Sequence, residues 1–197
     1  MVYVTSDLRP NFGSAMLTLI GVFSYNFTVT LPLLVTSGLH GGTNAFTILY
    51  SVFSLGSVGG ALIIAKRRLV KLRHVIIGAL VLGGAMLVLA TVPNTRFAMP
   101  AGFLLGISSI VYITATTTLV QVQSKPEMLG RVLALQTVLM FGTTPIGGPF
   151  LGWLSDLKGG RAPIFVGGIA ALATGLFGYY TNKHFVHSEV SMSQSIQ

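Results

Sequence analysis

"PNFGSAMLTLIGVFSYNFTVTLPLLVTSGLHGGTNAFTILYSVFSLGSVGGALIIA", residues 10–65, runs for 56 residues without one Asp, Glu, Lys or Arg. A helix needs about 20 apolar residues to cross a bilayer, so the run is long enough for two crossings. Its middle, "SGLHGGTN" (residues 37–44), is polar and glycine-rich, the composition of a turn. Four further uncharged runs follow: 74–95 (22 residues), 97–124 (28), 132–155 (24) and 162–182 (21). Together they predict six spans, over residues 13–36, 45–65, 75–92, 97–120, 132–154 and 163–180.

The composition of the whole chain agrees. Of its 197 residues 52% are hydrophobic and only 8% charged, against roughly 25% charged in an ordinary soluble domain. So little charge cannot hydrate the surface of a globule this size. Cysteine is absent, which excludes disulfides and thiolate metal sites. The first span is too long for the apolar core of a signal peptide, has a thin positive flank, and is followed by more spans. No period-two alternation points to a β-barrel. In hydrocarbon the backbone must satisfy its own hydrogen bonds, which leaves helices. The predicted fold class is therefore all-α integral membrane: a short segment over 1–12, a six-helix bundle over 13–183 and a polar tail over 184–197. The tail, "HFVHSEVSMSQSIQ", has the composition of a disordered segment.

"AKRRLVKLRH" (residues 65–74) holds five of the 12 Lys/Arg. Alone it would suit a nucleic-acid patch, but nothing else in the chain supports nucleic acid as a partner. Six spans put both termini on one side. With that side cytoplasmic, Arg9, Lys66, Arg67, Arg68, Lys71, Arg73, Lys125, Arg131 and Lys183 lie inside, and Arg96, Lys158 and Arg161 outside. Nine against three obeys the positive-inside rule, and the reverse orientation violates it. The basic stretch is then a cytoplasmic loop that fixes topology, with lipid headgroups as a further contact. Trp153 at the outer end of span five and Tyr179–Tyr180 at the inner end of span six suit interfacial belts.

Shifted by 88 residues, "FSLGSVGGALIIAKRRLVKLR" (53–73) falls on "FGTTPIGGPFLGWLSDLKGGR" (141–161). Phe53 meets Phe141, Gly59–Gly60 meets Gly147–Gly148, Leu69 meets Leu157 and Arg73 meets Arg161. The shift equals three spans. An odd number reverses membrane orientation, so the bundle reads as two inverted three-helix repeats, a construction found in secondary transporters.

"SKPEMLGRVLALQTVLMFGTTPIGGPFLGWLSD" (124–156) resembles the loop before helix eleven, and helix eleven itself, of major facilitator superfamily exporters. The resemblance rests on Pro126, Gly130-Arg131-Val132, Pro145 and Gly147-Gly148, and is nearest to the bacterial drug-efflux and enterobactin-exporter branch. "LRPNFGSAMLTLIGVFSYNFTVTLPLL" (8–34) is similar to helix seven of that group. The resemblance implies the carboxy-terminal six helices of a twelve-helix fold, in the inner (plasma) membrane of a bacterium. In that family the loop between helices eight and nine pairs basic residues with an Asp. Here "GGALIIAKRRLVKLR" keeps Gly60 and the basic residues but no acid, while an Asp stands in the repeated copy, "GWLSDLKGGR".

The same resemblance implies a central cavity lined by spans one, two, four and five. Their polar positions follow helical spacing: Tyr25, Asn26 and Thr30, with Pro32 as a kink; Tyr50, Ser54 and Ser57; Tyr112, Thr114, Thr118 and Gln121; Gln136, Met140 and Thr143. Polar groups are costly in hydrocarbon and tend to face the bundle interior, although Ser and Thr also bond their own helix backbone. Gly56–Gly60, Gly102–Gly106 and Gly148–Gly152 each read G-x-x-x-G and predict close helix packing. Ser124 and Glu127 are spaced as a capping box opening the fifth helix. Glu127 and Arg131 are spaced as an i, i+4 ion pair.

None of Asp7, Glu127, Asp156 and Glu189 lies inside a span, and His40, His74, His184 and His187 fall in loops or at ends. No nucleophile elbow, metalloprotease motif or carboxylate pair is present. The expected function is therefore not enzymatic, with no cofactor and no metal. It is one half of a secondary efflux permease for small organic molecules, drug- or siderophore-like. Proton antiport needs a titratable group in the membrane path, so its carboxylate is expected on an amino-terminal six-helix half. The alternatives are a half-size permease acting as a homodimer and a membrane scaffold without a transport path.

Overall fold

Among the described residues of the computed structural model, 26–66, 72–124, 126–142 and 144–194, every regular element is helical. Helix α1 (Phe27–Leu33) widens into a π-helical turn over Leu34–Gly38. Then come α2 (Thr43–Ala65), α3 (Leu72–Thr91), α4 (Thr95–Gln123), a 3-10 turn (Pro126–Met128), α5 (Leu129–Phe141), α6 (Thr144–Lys158) and α7 (Ala162–Gln194). Four of these, α2, α3, α4 and α7, are long and apolar enough to cross a membrane. Expected span one is described from residue 26 onward only, and Tyr25 lies outside the described residues.

Local chemistry sets the ends. Asn94 opens α4, its side-chain oxygen accepting from Phe97 N at 3.3 Å. Pro163 occupies the first turn of α7, where no backbone donor is needed. Pro32 leaves the Thr28 carbonyl without its helical partner. One turn later the chain loosens, Leu39 N reaching Leu34 O at 2.8 Å and Gly41 N reaching Val35 O at 2.8 Å. His40 completes the turn into α2 with φ 52°, a left-handed conformation.

Several sequence expectations are corrected. The span expected over 132–154 is divided, α5 ending at Phe141 and α6 starting at Thr144. Pro145 explains the break: its ring lacks a donor and collides with the carbonyl four residues back, which belongs to Phe141. The tail over 184–197 is not disordered throughout, since α7 continues to Gln194; no Gly or Pro interrupts the sequence after Gly178. The capping box does not form. Ser124 instead closes α4, donating to Val120 O at 2.7 Å, and α5 opens at Met128 with no side-chain cap. Glu127 sits in the 3-10 turn, outside the α-helical register an i, i+4 pair needs, and no ion pair joins it to Arg131. Last, Gly148–Gly152 does not make a close crossing. A Cβ at Gly148 would lie 3.7 Å from Val29 Cγ2, and one at Gly152 would meet nothing within 4 Å.

The other two glycine motifs meet each other. A Cβ at Gly60 would stand 2.6 Å from Ile107 O, and one at Gly56 would run into the Phe103 carbonyl. From the other side, a Cβ at Gly106 would run into the Phe53 carbonyl, and one at Gly102 would lie 2.6 Å from Leu49 Cδ1. Helices α2 and α4 thus share the most extensive contact in the bundle. The α3–α7 pair is next and is built the same way. Gly83 lies against Gly168 O and Leu172, and Gly168 against Leu87. Helix α4 also packs on α3, α1 leans on α6, and α6 on α7, while α5 touches α4 only lightly. The core, with Leu31, Leu34, Leu49, Leu82, Met86, Leu89, Leu105 and Tyr112, centres on α3.

The outside of the bundle is apolar. Leu55, Val58, Leu62 and Ile63 of α2, Ile77, Val81 and Val88 of α3, and Phe165, Ile169, Leu176 and Phe177 of α7 are all exposed. Soluble monomers rarely expose apolar patches beyond a few hundred Å². Lipid tails are the solvent this surface fits. Trp153 beside Phe150 is exposed near the end of α6, and Tyr179 beside Tyr180 is exposed where the apolar stretch of α7 ends, places where aromatic belts form.

Candidate functional site

The polar positions expected to line a path fall into two groups. The first lies where α1 meets α2. Asn26 and Thr30 are buried, and Thr30 Oγ1 donates to the Asn26 carbonyl at 3.1 Å. Beside them the rings of Phe27 and Phe53 lie 5.3 Å apart, and Tyr50, partly exposed, stacks between Phe46 and Phe53 at 5.7 and 5.9 Å. Ser54 is exposed and donates to its own helix at Tyr50 O, 2.9 Å. Ser57 also bonds its own backbone, at Phe53 O, and lies 3.4 Å from Gly106 O across the α2–α4 crossing.

The second group lies along the seam of α4 and α5. Thr114, Thr117, Thr118 and Gln121 follow i, i+3, i+4, i+7 spacing and share one face of α4. Thr114, Thr117 and Thr118 are half-buried and Gln121 is exposed. From α5, Gln136 reaches this face, its Nε2 donating to Thr117 Oγ1 at 2.8 Å. Gln136 is 6% exposed, while its neighbours Leu135 and Val138 are 54% and 61% exposed. Helix α5 therefore turns lipid-compatible side chains outward and one amide inward.

Thr117 precedes the end of α4 by six residues and Gln136 follows the start of α5 by seven, so the contact lies ~9–10 Å along the helices. Within the expected spans 97–120 and 132–154 the contact lies three to four residues, ~4–6 Å, inside the span edge.

The energetics of Gln136 do not suit a purely structural tie. An interhelical hydrogen bond in a membrane contributes on average ~0.6 kcal/mol. Gln136 Oε1 is buried with no hydrogen-bond partner, and an unsatisfied buried acceptor costs ~1–3 kcal/mol. The cost exceeds the bond.

Other expected positions are placed as follows. Tyr112 is fully buried and packs on α3, where a Cβ at Gly78 would lie 3.2 Å from Tyr112 Cα. Met140 lies near the end of α5, and Thr143 falls outside the described residues. Lys66 and Arg73 are exposed at the two ends of the basic loop, Arg67, Arg68 and Lys71 lie outside the described residues, and Glu127 and Arg131 are exposed. The two polar groups share no hydrogen bond or ring contact among the described residues.

Two residues escaped the sequence reading. Thr117 lies in the run Thr116–Thr117–Thr118; its i+3 relation to Thr114 and i+4 relation to Gln121 are the signal that could have singled it out. Arg161, read as an outer charge and as the repeat counterpart of Arg73, donates from Nε to Gly38 O at 3.1 Å and so caps the π-helical end of α1. Gly160 beside it packs onto the Leu33 carbonyl, with Gly38 N at 2.7 Å from where a Cβ would stand.

No curated protein and no solved structure matches the chain. The family model for a transmembrane secretion effector matches residues 10–195, nearly the full length. With its apolar helices and lipid-compatible exterior, the chain belongs to the transmembrane secretion effector family, a family of major facilitator-type transporters.

Proposed function

We propose that this chain forms one half of a secondary efflux permease that exports small organic molecules, drug- or siderophore-like, across a bacterial plasma membrane. The observation that carries the reading is the α4–α5 seam, where an inward amide and a threonine-rich face stand at membrane depth within a transporter-family bundle. A membrane scaffold has no use for an unsatisfied acceptor there.

Part of the contact pattern fits two inverted repeats, while the α6–α7 contact has no comparable counterpart between α2 and α3 among the described residues. Exchanging α1 with α4, α2 with the α5–α6 pair and α3 with α7 maps the α1–α6 contact onto α2–α4 and α1–α7 onto α3–α4. The same exchange returns α3–α7 to itself. The remaining half of the cavity comes from a second six-helix unit, an amino-terminal partner half or another copy of this chain. Since none of the Asp, Glu, Lys or Arg side chains falls within the six spans, that unit supplies the coupling carboxylate of a proton antiporter.

Two measurements test the proposal. The chain in lipid nanodiscs binds proflavine, a flat amphipathic dye, saturably; absence of saturable binding contradicts a substrate path. In liposomes with an imposed proton gradient the chain alone gives no gradient-driven dye efflux. Robust gradient-driven efflux would refute the assignment of coupling to the partner unit.

A further inference from the structure

We propose that Gln136 Oε1 is a substrate-binding acceptor, taking a hydrogen bond from an N–H or O–H group on an otherwise apolar, ring-bearing organic molecule. The inference deepens the transporter reading and rests on it. The oxygen is buried and unsatisfied. Its own amide is fixed from behind, because Nε2 is committed to Thr117 Oγ1. The Thr116 and Thr137 hydroxyls are bonded to their own helices, at Tyr112 O and Leu133 O. Gln136 thus presents one oriented acceptor at the seam.

The surroundings define the partner's chemistry. The spans hold no Asp or Glu, so recognition at this point uses hydrogen bonding and not charge neutralisation. A site built to accept a hydrogen bond discriminates strongly against an analogue that lacks the donor, because its own polar group is then left unpaired. Helix α5 packs lightly on α4, so a flat ring can enter between them without breaking a sealed glycine contact. Thr117 is a positioning residue: it holds the amide with the oxygen free.

The test uses two cationic acridines of the same ring system. Proflavine carries exocyclic N–H groups; in acridine orange those hydrogens are replaced by methyls. Both are titrated against the chain in nanodiscs, wild type, Q136L and T117V, and the ratio of their dissociation constants is compared. The wild type is expected to favour proflavine, and Q136L to reduce that preference by roughly threefold to tenfold, the worth of one hydrogen bond. T117V moves the ratio the same way by less, with Gln136 still present. An unchanged ratio in Q136L overturns the proposal, as does a wild-type preference for acridine orange, which an amide turned end for end would give. Thermal unfolding is the second readout. Q136L is expected to unfold no lower than wild type, and a lowered midpoint identifies Gln136 as a structural tie and overturns the proposal. If both dyes bind saturably but without discrimination, this inference fails alone. If neither binds, the transporter reading fails and this inference with it.

Discussion

Arg161 shows what one side chain can do at the end of a helix. Carbonyls at a helix C-terminus lack donors and carry partial negative charge. A guanidinium bonded to Gly38 O answers both needs at once. Replacing it with alanine is expected to cost about 1 kcal/mol, a charge-assisted bond at a half-buried position. R161A should therefore unfold at a lower temperature than wild type in detergent, with R161K between them. Equal midpoints for R161A and wild type would exclude the cap. Sequence alone could not find this contact, because 123 residues separate the partners and nothing in either neighbourhood names the other. Gln136 was legible as a polar residue on an apolar helix. That its nitrogen is committed and its oxygen is not became visible only with Thr117 in place.

Glycine placement governs the helix pairs, and adjacent glycines provide an internal control. In α2, a Cβ at Gly60 would press on Ile107 backbone, whereas one at Gly59 would find only Ile107 Cγ1 at 3.9 Å. G60A is expected to destabilise the protein by roughly 1–3 kcal/mol, the usual cost of overpacking. G59A should be near neutral. The same contrast recurs in α3, where a Cβ at Gly83 would stand 2.8 Å from Gly168 O and one at Gly84 would meet nothing within 4 Å. Similar unfolding midpoints for G60A and G59A would contradict the close crossing. Two of the three G-x-x-x-G motifs identified from spacing do form a crossing, with each other. The α3–α7 crossing carries no such motif, because its close glycines are Gly83 on α3 and Gly168 and Gly175 on α7, the latter two a full seven residues apart. Uncharged length made legible the four helices long enough to cross a membrane, α2, α3, α4 and α7. The break at Phe141–Thr144 was not, since it depends on Pro145 acting on a residue four positions earlier rather than on hydropathy.

At the scale of the whole molecule, the positive-inside rule predicts the orientation that puts nine cations in the cytoplasm and three outside. The chain contains no cysteine, so single cysteines report topology without background. In intact bacterial cells H40C should react with a membrane-impermeant maleimide, and E127C only after permeabilisation. The opposite pattern would invert the bundle and contradict the charge rule here. The two glycine-sealed pairs have a mechanical consequence. They make the bundle unevenly stiff: α2–α4 and α3–α7 are rigid plates, because backbones in direct contact leave no side-chain slack. Helix α5 touches α4 only lightly among the described residues and is cut from α6 at one end. A load on an unevenly stiff body is taken up where it is softest. Of the contacts of α4 with α2, α3 and α5, the seam that holds Gln136 is the lightest, so a load on α4 is taken up there before the plates change shape.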